Sequence, residues 1–143
     1  MLRSSWVPYA LFIDLNVTMD RIYGRGDCAL CKDIAYYGAK MNLPTLYRIF
    51  FRVGSLPFVL KRAARMWDAH YSIGRLSVMS HRGWARLLIE DFAVPHPALW
   101  YSVAGWGEAS AHLTGVTDAV ATIEHAPEGD DDSPAQIMIR WAP

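Results

Sequence analysis

Hydrophobic positions in the second half of the chain switch between helical and strand spacing. From residue 56 to 71 apolar side chains recur every three or four residues, as in a helix with one buried side. Positions 76–80 and 85–89 alternate in steps of two around a tight connection at His81–Gly83, which predicts a β-hairpin. A further helix is predicted at 98–113, and two more strands at 117–124 and 135–141.

Glycines divide the first part of the chain into short helices. A helix capped near Ser4 is predicted to run to about Tyr23, and a second is predicted at 28–40, with Asp27 as its cap. Asn42 to Pro44 interrupts this pattern, and a short third helix is expected at 45–53. The sequence therefore predicts a single-domain α+β fold, in which an antiparallel sheet of about four strands packs with four to five helices. Residues 1–54 form its helical N-terminal part and residues 55–143 the remainder.

Composition narrows the classes of function. The chain has 143 residues, 52% of them hydrophobic, which is enough for one core. Its formal net charge is zero, which argues against a nucleic-acid partner. No apolar run is long enough for a membrane span, and no signal-peptide cleavage site follows the N-terminal apolar residues. With only two cysteines, a reduced, cytoplasmic protein is expected.

Aromatic residues are unusually frequent, at 13% of the chain. Rings that can offer an N–H or O–H group beside an apolar surface are suited to a ligand pocket, although a core rich in aromatic residues is the simpler alternative. Small residues on the predicted helix 98–113 would leave space for the ligand or allow close backbone approach. The predicted ligand-binding residues are Trp67, Tyr71, Trp84, Trp100, Tyr101 and Trp106.

Catalytic and metal-binding motifs are not found in the sequence. It contains no nucleophile elbow, dinucleotide-binding loop or phosphate-binding loop, so a non-enzymatic function is expected. Cys28 and Cys31 have C-x-x-C spacing, but predicted helices flank them and two thiols are half of a structural zinc site. Ordinary packing is favoured for this pair, and no metal site is expected. His70 and His112 are the better-placed candidates for a single haem ligand, although a satisfied or exposed histidine is the favoured interpretation of each.

Three motifs resemble a known ligand-sensing superfamily. They are W-D-A-H-Y-S-I-G-R-L-S-V (67–78), A-G-W-G-E-A-S-A-H-L-T-G-V (104–116) and the final I-M-I-R-W (137–141). The superfamily comprises vinyl-reductase-type small-molecule-binding domains, haem-nitric-oxide-binding-like proteins and TRAPP vesicle-tethering subunits. G-R-G-D (24–27) and the helices after it are similar to a small uncharacterised myxobacterial family with the same C-terminal half.

The resemblance implies a bacterial sensory or regulatory module that binds a small apolar ligand. The cysteines with which vinyl-reductase-type domains bind metal are replaced here by Leu99–Tyr101 and Glu128–Asp130, and the propionate clamp of the gas sensors is not found, so no cofactor is expected. One alternative is a ligand-free homodimeric scaffold for a partner protein, and another is a haem-based gas sensor. The candidate dimer interface consists of Trp6, Tyr9, Phe12, Phe50 and Phe51.

Overall fold

The described part of the chain contains three long helices and one antiparallel sheet. A computed structural model describes residues 9–46, 56, 58–62, 74–92 and 95–142, and within the first range the side chains of 10–41. The helices are α1 (Tyr9–Tyr23), α2 (Ala29–Leu46) and α3 (Pro97–Leu113). The strands are β1 (Arg75–His81), β2 (Trp84–Glu90), β3 (Val120–His125) and β4 (Ala135–Arg140). The predicted single-domain α+β fold with a four-stranded antiparallel sheet is confirmed.

The sheet has the strand order β1-β2-β4-β3, so β1 and β3 form its edges. β1 and β2 form the predicted hairpin, and Gly83 has a φ of 87° in its turn, a conformation in which glycine carries no steric penalty. Inward side chains such as Leu87, Ile137 and Ile139 alternate with outward ones, as expected for strands with one covered face. α3 covers that inner face, because Gly107 contacts the side chains of both Leu87 and Ile139.

The second helix is longer than predicted. α2 continues through Asn42 and Pro44 to Leu46, so the predicted interruption there is wrong. Pro44 lies two residues before the end of α2 and removes one hydrogen bond, to the carbonyl of Lys40. Lys40 is exposed, so water can replace the lost donor. Residues 47–53 of the predicted third helix lie outside the described residues.

A buried carboxylate fixes the turn between α1 and α2. Asp20 on α1 is only 1% exposed, and its two side-chain oxygens accept hydrogen bonds from the backbone N–H groups of Cys28 (2.8 Å) and Leu30 (3.2 Å). These are the otherwise unpaired N–H groups at the start of α2. A Cβ atom on Gly24 would lie 2.5 Å from Asp20 Oδ1, so a residue with no side chain is needed at this position. The turn therefore holds α1 and α2 together as a helical hairpin.

Part of the predicted fourth helix is described. Residues 56 and 58–62 are helical, and Leu56, Val59 and Leu60 are buried, as the apolar stripe predicted. Leu56 and Leu60 belong to the same core cluster as Trp100 and Leu99 of α3. This segment therefore packs into the main core.

Candidate functional site

The six predicted ligand-binding residues are distributed among several parts of the molecule. Trp67 and Tyr71 lie outside the described residues. Trp100 and Tyr101 belong to the main core, Trp106 to a second cluster, and Trp84 to the outer face of the sheet. The structure thus brings Trp100 and Tyr101 together but separates them from Trp84 and Trp106.

Trp100 occupies a corner where α3 begins and the β1–β2 hairpin ends. Its side chain is 0% exposed, its indole Nε1–H donates to the carbonyl of Pro127 (2.7 Å), and its ring packs edge-on against Phe92 with centroids 5.4 Å apart. Phe92 in turn contacts Gly74, where an added Cβ would lie 2.5 Å from its ring. Trp100, Phe92, Gly74 and Pro127 define what we call the Trp100 corner.

Tyr101 lies beside Trp100 on α3, is partly buried and packs against the main core. Of the predicted ligand-binding residues, Trp100 is therefore at this corner and Tyr101 is its neighbour on the helix.

Trp84 lies at the opposite end of the hairpin. It stacks on His81, with ring centroids 5.2 Å apart, and the Arg86 guanidinium lies 5.9 Å from its ring centroid. Its pairing partner on β4 is Arg140, whose guanidinium forms a 2.8 Å ion pair with Glu124. The surroundings of Trp84 are therefore charged and belong to the outer face, whereas α3 packs on the inner face.

Small residues of α3 serve close packing. A Cβ atom on Gly105 would lie 2.1 Å from the carbonyl oxygen of Lys32, and one on Gly107 would lie 3.0 Å from Ile139 Cδ1. The backbone of α2 and the sheet therefore take up the space at these two glycines, where space for a ligand was expected. The alternative expectation, close approach of another backbone, is what is found at Gly105.

Two matched pairs of side chains join α2, α3 and the edge strand β3. Lys32 Nζ lies 2.8 Å from Glu108 Oε2, and these two groups bind the carbonyl and the N–H of Ala121, each at 2.9 Å. One helical turn further along both helices, the Tyr36 hydroxyl lies 2.6 Å from His112 Nδ1. Lys32, Tyr36, Glu108 and His112 form what we call the α2–α3–β3 seam.

The seam protects an exposed sheet edge. Edge strands present unpaired backbone groups that can bind another chain, and here side chains of α2 and α3 occupy those of Ala121. These four residues are not predicted as a group from the sequence, although the i, i+4 spacings of Lys32 with Tyr36 and of Glu108 with His112 are visible in the sequence. Which two helices would place them side by side is decided only by the tertiary structure.

The hydrogen bonds of His112 engage both of its ring nitrogens. Its Nε2 lies 2.9 Å from the carbonyl oxygen of Ala119, which can only accept, so Nε2 carries the proton. In the tautomer that carries its proton on Nε2, Nδ1 accepts from the Tyr36 hydroxyl. Both ring nitrogens are occupied, and neither has a lone pair available for a metal. His112, one of the two predicted haem-ligand candidates, acts here in the seam.

The remaining described histidines are also engaged or exposed. His96 caps α3, with its Nδ1 accepting the N–H of Ala98 (3.0 Å), which leaves the proton on Nε2. His125 lies within 3.5 Å of Asp131 in a loop where both side chains are 43% exposed, and His81 is exposed beside the hairpin turn. The other predicted candidate, His70, lies outside the described residues. No histidine in the described ranges is thus placed as a haem ligand.

Cys28 and Cys31 lie at the start of α2. Cys31 is fully buried in the main core, and its Sγ–H points to the carbonyl of Asn16 on α1 at 3.7 Å. Burial, with Cys28 and Asp20 nearby, raises the pKa of Cys31 to about 12, and burial also raises the pKa of Cys28. Both thiols are held protonated at neutral pH, whereas reactive cysteines have a lowered pKa. This environment suits the predicted packing role.

The described residues also form a groove, but it differs from an apolar ligand pocket. A groove of about 380 Å³ runs along the α1–α2 turn, where Arg25, Asp27 and Asp33 contribute charge, unlike an apolar pocket. No group of three or more potential metal ligands is found in the described part of the chain. Across the same ranges, no helix has both the length and the apolar character required to cross a lipid bilayer.

Comparisons with known proteins identify a shared fold. No protein-family model matches the sequence, and the comparison with curated proteins finds no relative. One solved structure comes from a study of how protein-induced porphyrin distortion modulates haem redox potential. It superposes on this chain with a TM-score of 0.69 and 10% sequence identity, and the match covers 96% of this chain and 78% of that one. An oxygen-binding H-NOX domain related to soluble guanylate cyclases, solved as its oxygen complex, gives 0.67 at 10% identity, with 96% and 73% covered. A structure from a study of H-NOX activation gives 0.63 at 11% identity, with 96% and 75% covered. The chain thus has the fold of these H-NOX domains over nearly its whole length.

Proposed function

We propose that this chain is a non-enzymatic sensory module that binds a small apolar ligand at the Trp100 corner. The observation that carries this proposal is the fold shared with H-NOX domains over 96% of the chain. At the corner Phe92 is only partly buried and offers apolar surface, while the fully buried Trp100 packs against its ring. Tyr101, the neighbour of Trp100 on α3, is partly buried and adds a phenol to the proposed site. We also assign Tyr71, which the sequence predicts as a ligand-binding residue, to the proposed site.

The proposed output is a change in how the helical hairpin sits on the sheet. A ligand shifts an equilibrium only by the difference in its affinity for two states, so the sensor needs an element with two arrangements. Since the Lys32–Glu108 pair and the Tyr36–His112 hydrogen bond join α2 to α3 and β3, their rearrangement would carry the signal. This is the role that we assign to the α2–α3–β3 seam in a cytoplasmic regulatory protein.

Haem is the second candidate ligand, because the structures with this fold are haem proteins. His112 does not fit as its ligand, since both ring nitrogens already hold hydrogen bonds. His70 is the remaining one of the two histidines that the sequence predicts as candidates. Bound haem would supply an iron that binds a diatomic gas.

Native mass spectrometry of the purified protein, compared with the same sample denatured, tests both candidates. An apolar ligand predicts a non-covalent adduct that is lost on denaturation, without absorbance in the Soret region. Tyr71→Ala should reduce its occupancy, whereas Tyr37→Ala, on the exposed side of α2, should not. Haem predicts Soret absorbance that His70→Ala abolishes and the exposed-site control His81→Ala preserves. A bare chain that also takes up no haem on reconstitution would contradict both candidates.

A further inference from the structure

α1 carries a row of apolar side chains on the side that faces away from the core. Ile13 and Asp20 are buried, and Phe12 and Val17 pack against the core. On the opposite side the large residues remain in solvent. They are Leu11, Leu15, Met19 and Ile22, with exposed fractions of 48%, 56%, 42% and 61%. A helix that is apolar on both sides has a second surface to bury.

Three of these exposed residues, together with the half-buried Thr18, follow the spacing of a coiled coil. Leu11, Leu15, Thr18 and Ile22 are separated by four, three and four residues, which are the successive d, a, d and a positions of a heptad repeat. These four residues form what we call the α1 stripe. The side chains that join α1 to the core are on the other side of the helix, so the apolar side chains of the stripe are not needed for folding.

Charges beside the stripe identify the partner. Asp14 and Arg21 both fall at g positions, on the same flank of the stripe. Both are exposed, and neither forms an ion pair with a described residue. In an antiparallel pair of helices the same flanks face each other, so a two-fold axis near Thr18 places Asp14 of one copy opposite Arg21 of the other. The two-fold axis therefore generates the Asp14–Arg21 contact twice in the dimer.

We propose that the α1 stripe is a homodimer interface in which α1 packs antiparallel against α1 of a second copy of this chain. The surface is complementary to itself, as a two-fold interface requires. It is also short, since Leu11 to Ile22 spans about 17 Å of helix, so the dimer should be weak, with a dissociation constant on the order of micromolar. This interface shares no described residue with the Trp100 corner, so a test of the dimer is independent of a test of the proposed ligand.

Sedimentation equilibrium of the full chain, from ~1 to ~300 μM, tests the interface over the affinities expected of one helix pair. We expect the unmodified protein to dimerise reversibly. Asp14→Arg and Arg21→Asp should each weaken the dimer by at least ~10-fold, because each variant alone opposes like charges. Leu15→Lys should abolish it. All three positions are exposed, so circular dichroism should show an unchanged fold.

Mixing the two charge variants gives the decisive measurement. The Asp14→Arg chain and the Arg21→Asp chain have opposite charges at both g positions, so an equimolar mixture should form a heterodimer while each alone remains largely monomeric. Combining both substitutions in one chain should restore a homodimer. A protein that stays monomeric throughout, or a dimer that neither charge variant weakens, would overturn the proposal.

Discussion

α1 and α3 are both apolar around much of their circumference, yet the fold treats them differently. α3 is covered by α2 on one side and by the sheet on the other, and eleven of its seventeen residues are buried. α1 buries one side and leaves Leu15 and Ile22 in solvent. The difference shows that apolar residues on two sides of a helix predict two contacts but do not say whether both lie within one chain.

The largest expected effect comes from truncating matched leucines of the two helices. Leu99 of α3 is 0% exposed, so Leu99→Ala should lower the free energy of unfolding by ~2–5 kcal/mol through lost burial and a residual cavity. Leu15 of α1 is 56% exposed, and Leu15→Ala should change it by no more than ~0.5 kcal/mol below the dimerising concentration. Urea denaturation measures both variants. Equal losses would mean that the two helices are buried alike.

Glycine substitutions sharpen the comparison next. Gly105→Ala should lower the free energy of unfolding by ~1–3 kcal/mol, because the new Cβ meets the backbone carbonyl of Lys32, which cannot rotate away. Gly107→Ala should cost less, since it meets the movable Ile139 side chain. Gly38→Ala on α2 is the control: apart from its chain neighbours and the backbone of its own helix, nothing lies within 4 Å of its Cβ position, so helix propensity should raise stability by up to ~1 kcal/mol. Thermal or urea denaturation of the three variants gives the order of their free energies of unfolding. A stabilising effect of Gly105→Ala would contradict the close contact between Gly105 and the backbone of Lys32.

The ion pair that fastens α3 to α2 should matter less than the packing at Gly105 but more than a surface pair. Glu108→Gln removes the charge that faces Lys32 at a largely buried position, for an expected loss of ~1–2 kcal/mol. Glu124→Gln breaks the exposed pair with Arg140, which should cost ~0–1 kcal/mol. Urea denaturation at low and high salt separates them. If both losses were small and equally screened by salt, the seam would be only a surface contact.

A last prediction concerns the reactivity of Cys31, whose thiol lies against the covered side of α1, and involves no change of sequence. Because burial raises the pKa of Cys31 to about 12, its thiol stays protonated in the folded chain as pH rises past 9, where the unfolded thiol ionises. Alkylation between pH 7 and 9 should therefore be slow at Cys31 and become fast in urea. Mass spectrometry of digested samples locates the label. Rapid labelling of the folded chain would show that this side opens to solvent.

Much of the fold could be predicted because its signals are local. Alternation in steps of two defined both strands of the hairpin, and the proline-to-glycine interval before Gly115 defined α3 to within one residue at its start. Errors came where local rules compete with context. Pro44 was expected to interrupt a helix that passes through it, and β3 begins at Val120, three residues after the predicted start at Thr117. Ala119 is instead in a turn, its N–H donating to the carbonyl of Val116.

The candidate site was less predictable than the fold. The abundance of aromatic residues predicted a pocket, but it did not indicate that Trp84 and Trp100 would lie at opposite ends of the hairpin. The i, i+4 spacing of Glu108 and His112 is present in the sequence, but the sequence does not show that Lys32 and Tyr36 of α2 contact these two residues. Both failures have one origin, since side-chain chemistry is local and the distance between elements is not.

The sequence by itself determined which side of each strand is apolar, where α3 begins and ends, and that small residues of α3 permit close contact. These properties depend on periodicity and on backbone conformations that only neighbouring residues influence. Only the tertiary structure decided that Gly105 meets α2, that His112 is held between Tyr36 and Ala119, and that the outer row of α1 is left in solvent. Such contacts join residues far apart in the chain, and the burial that stabilises them is non-directional, so the pattern alone does not specify the partner.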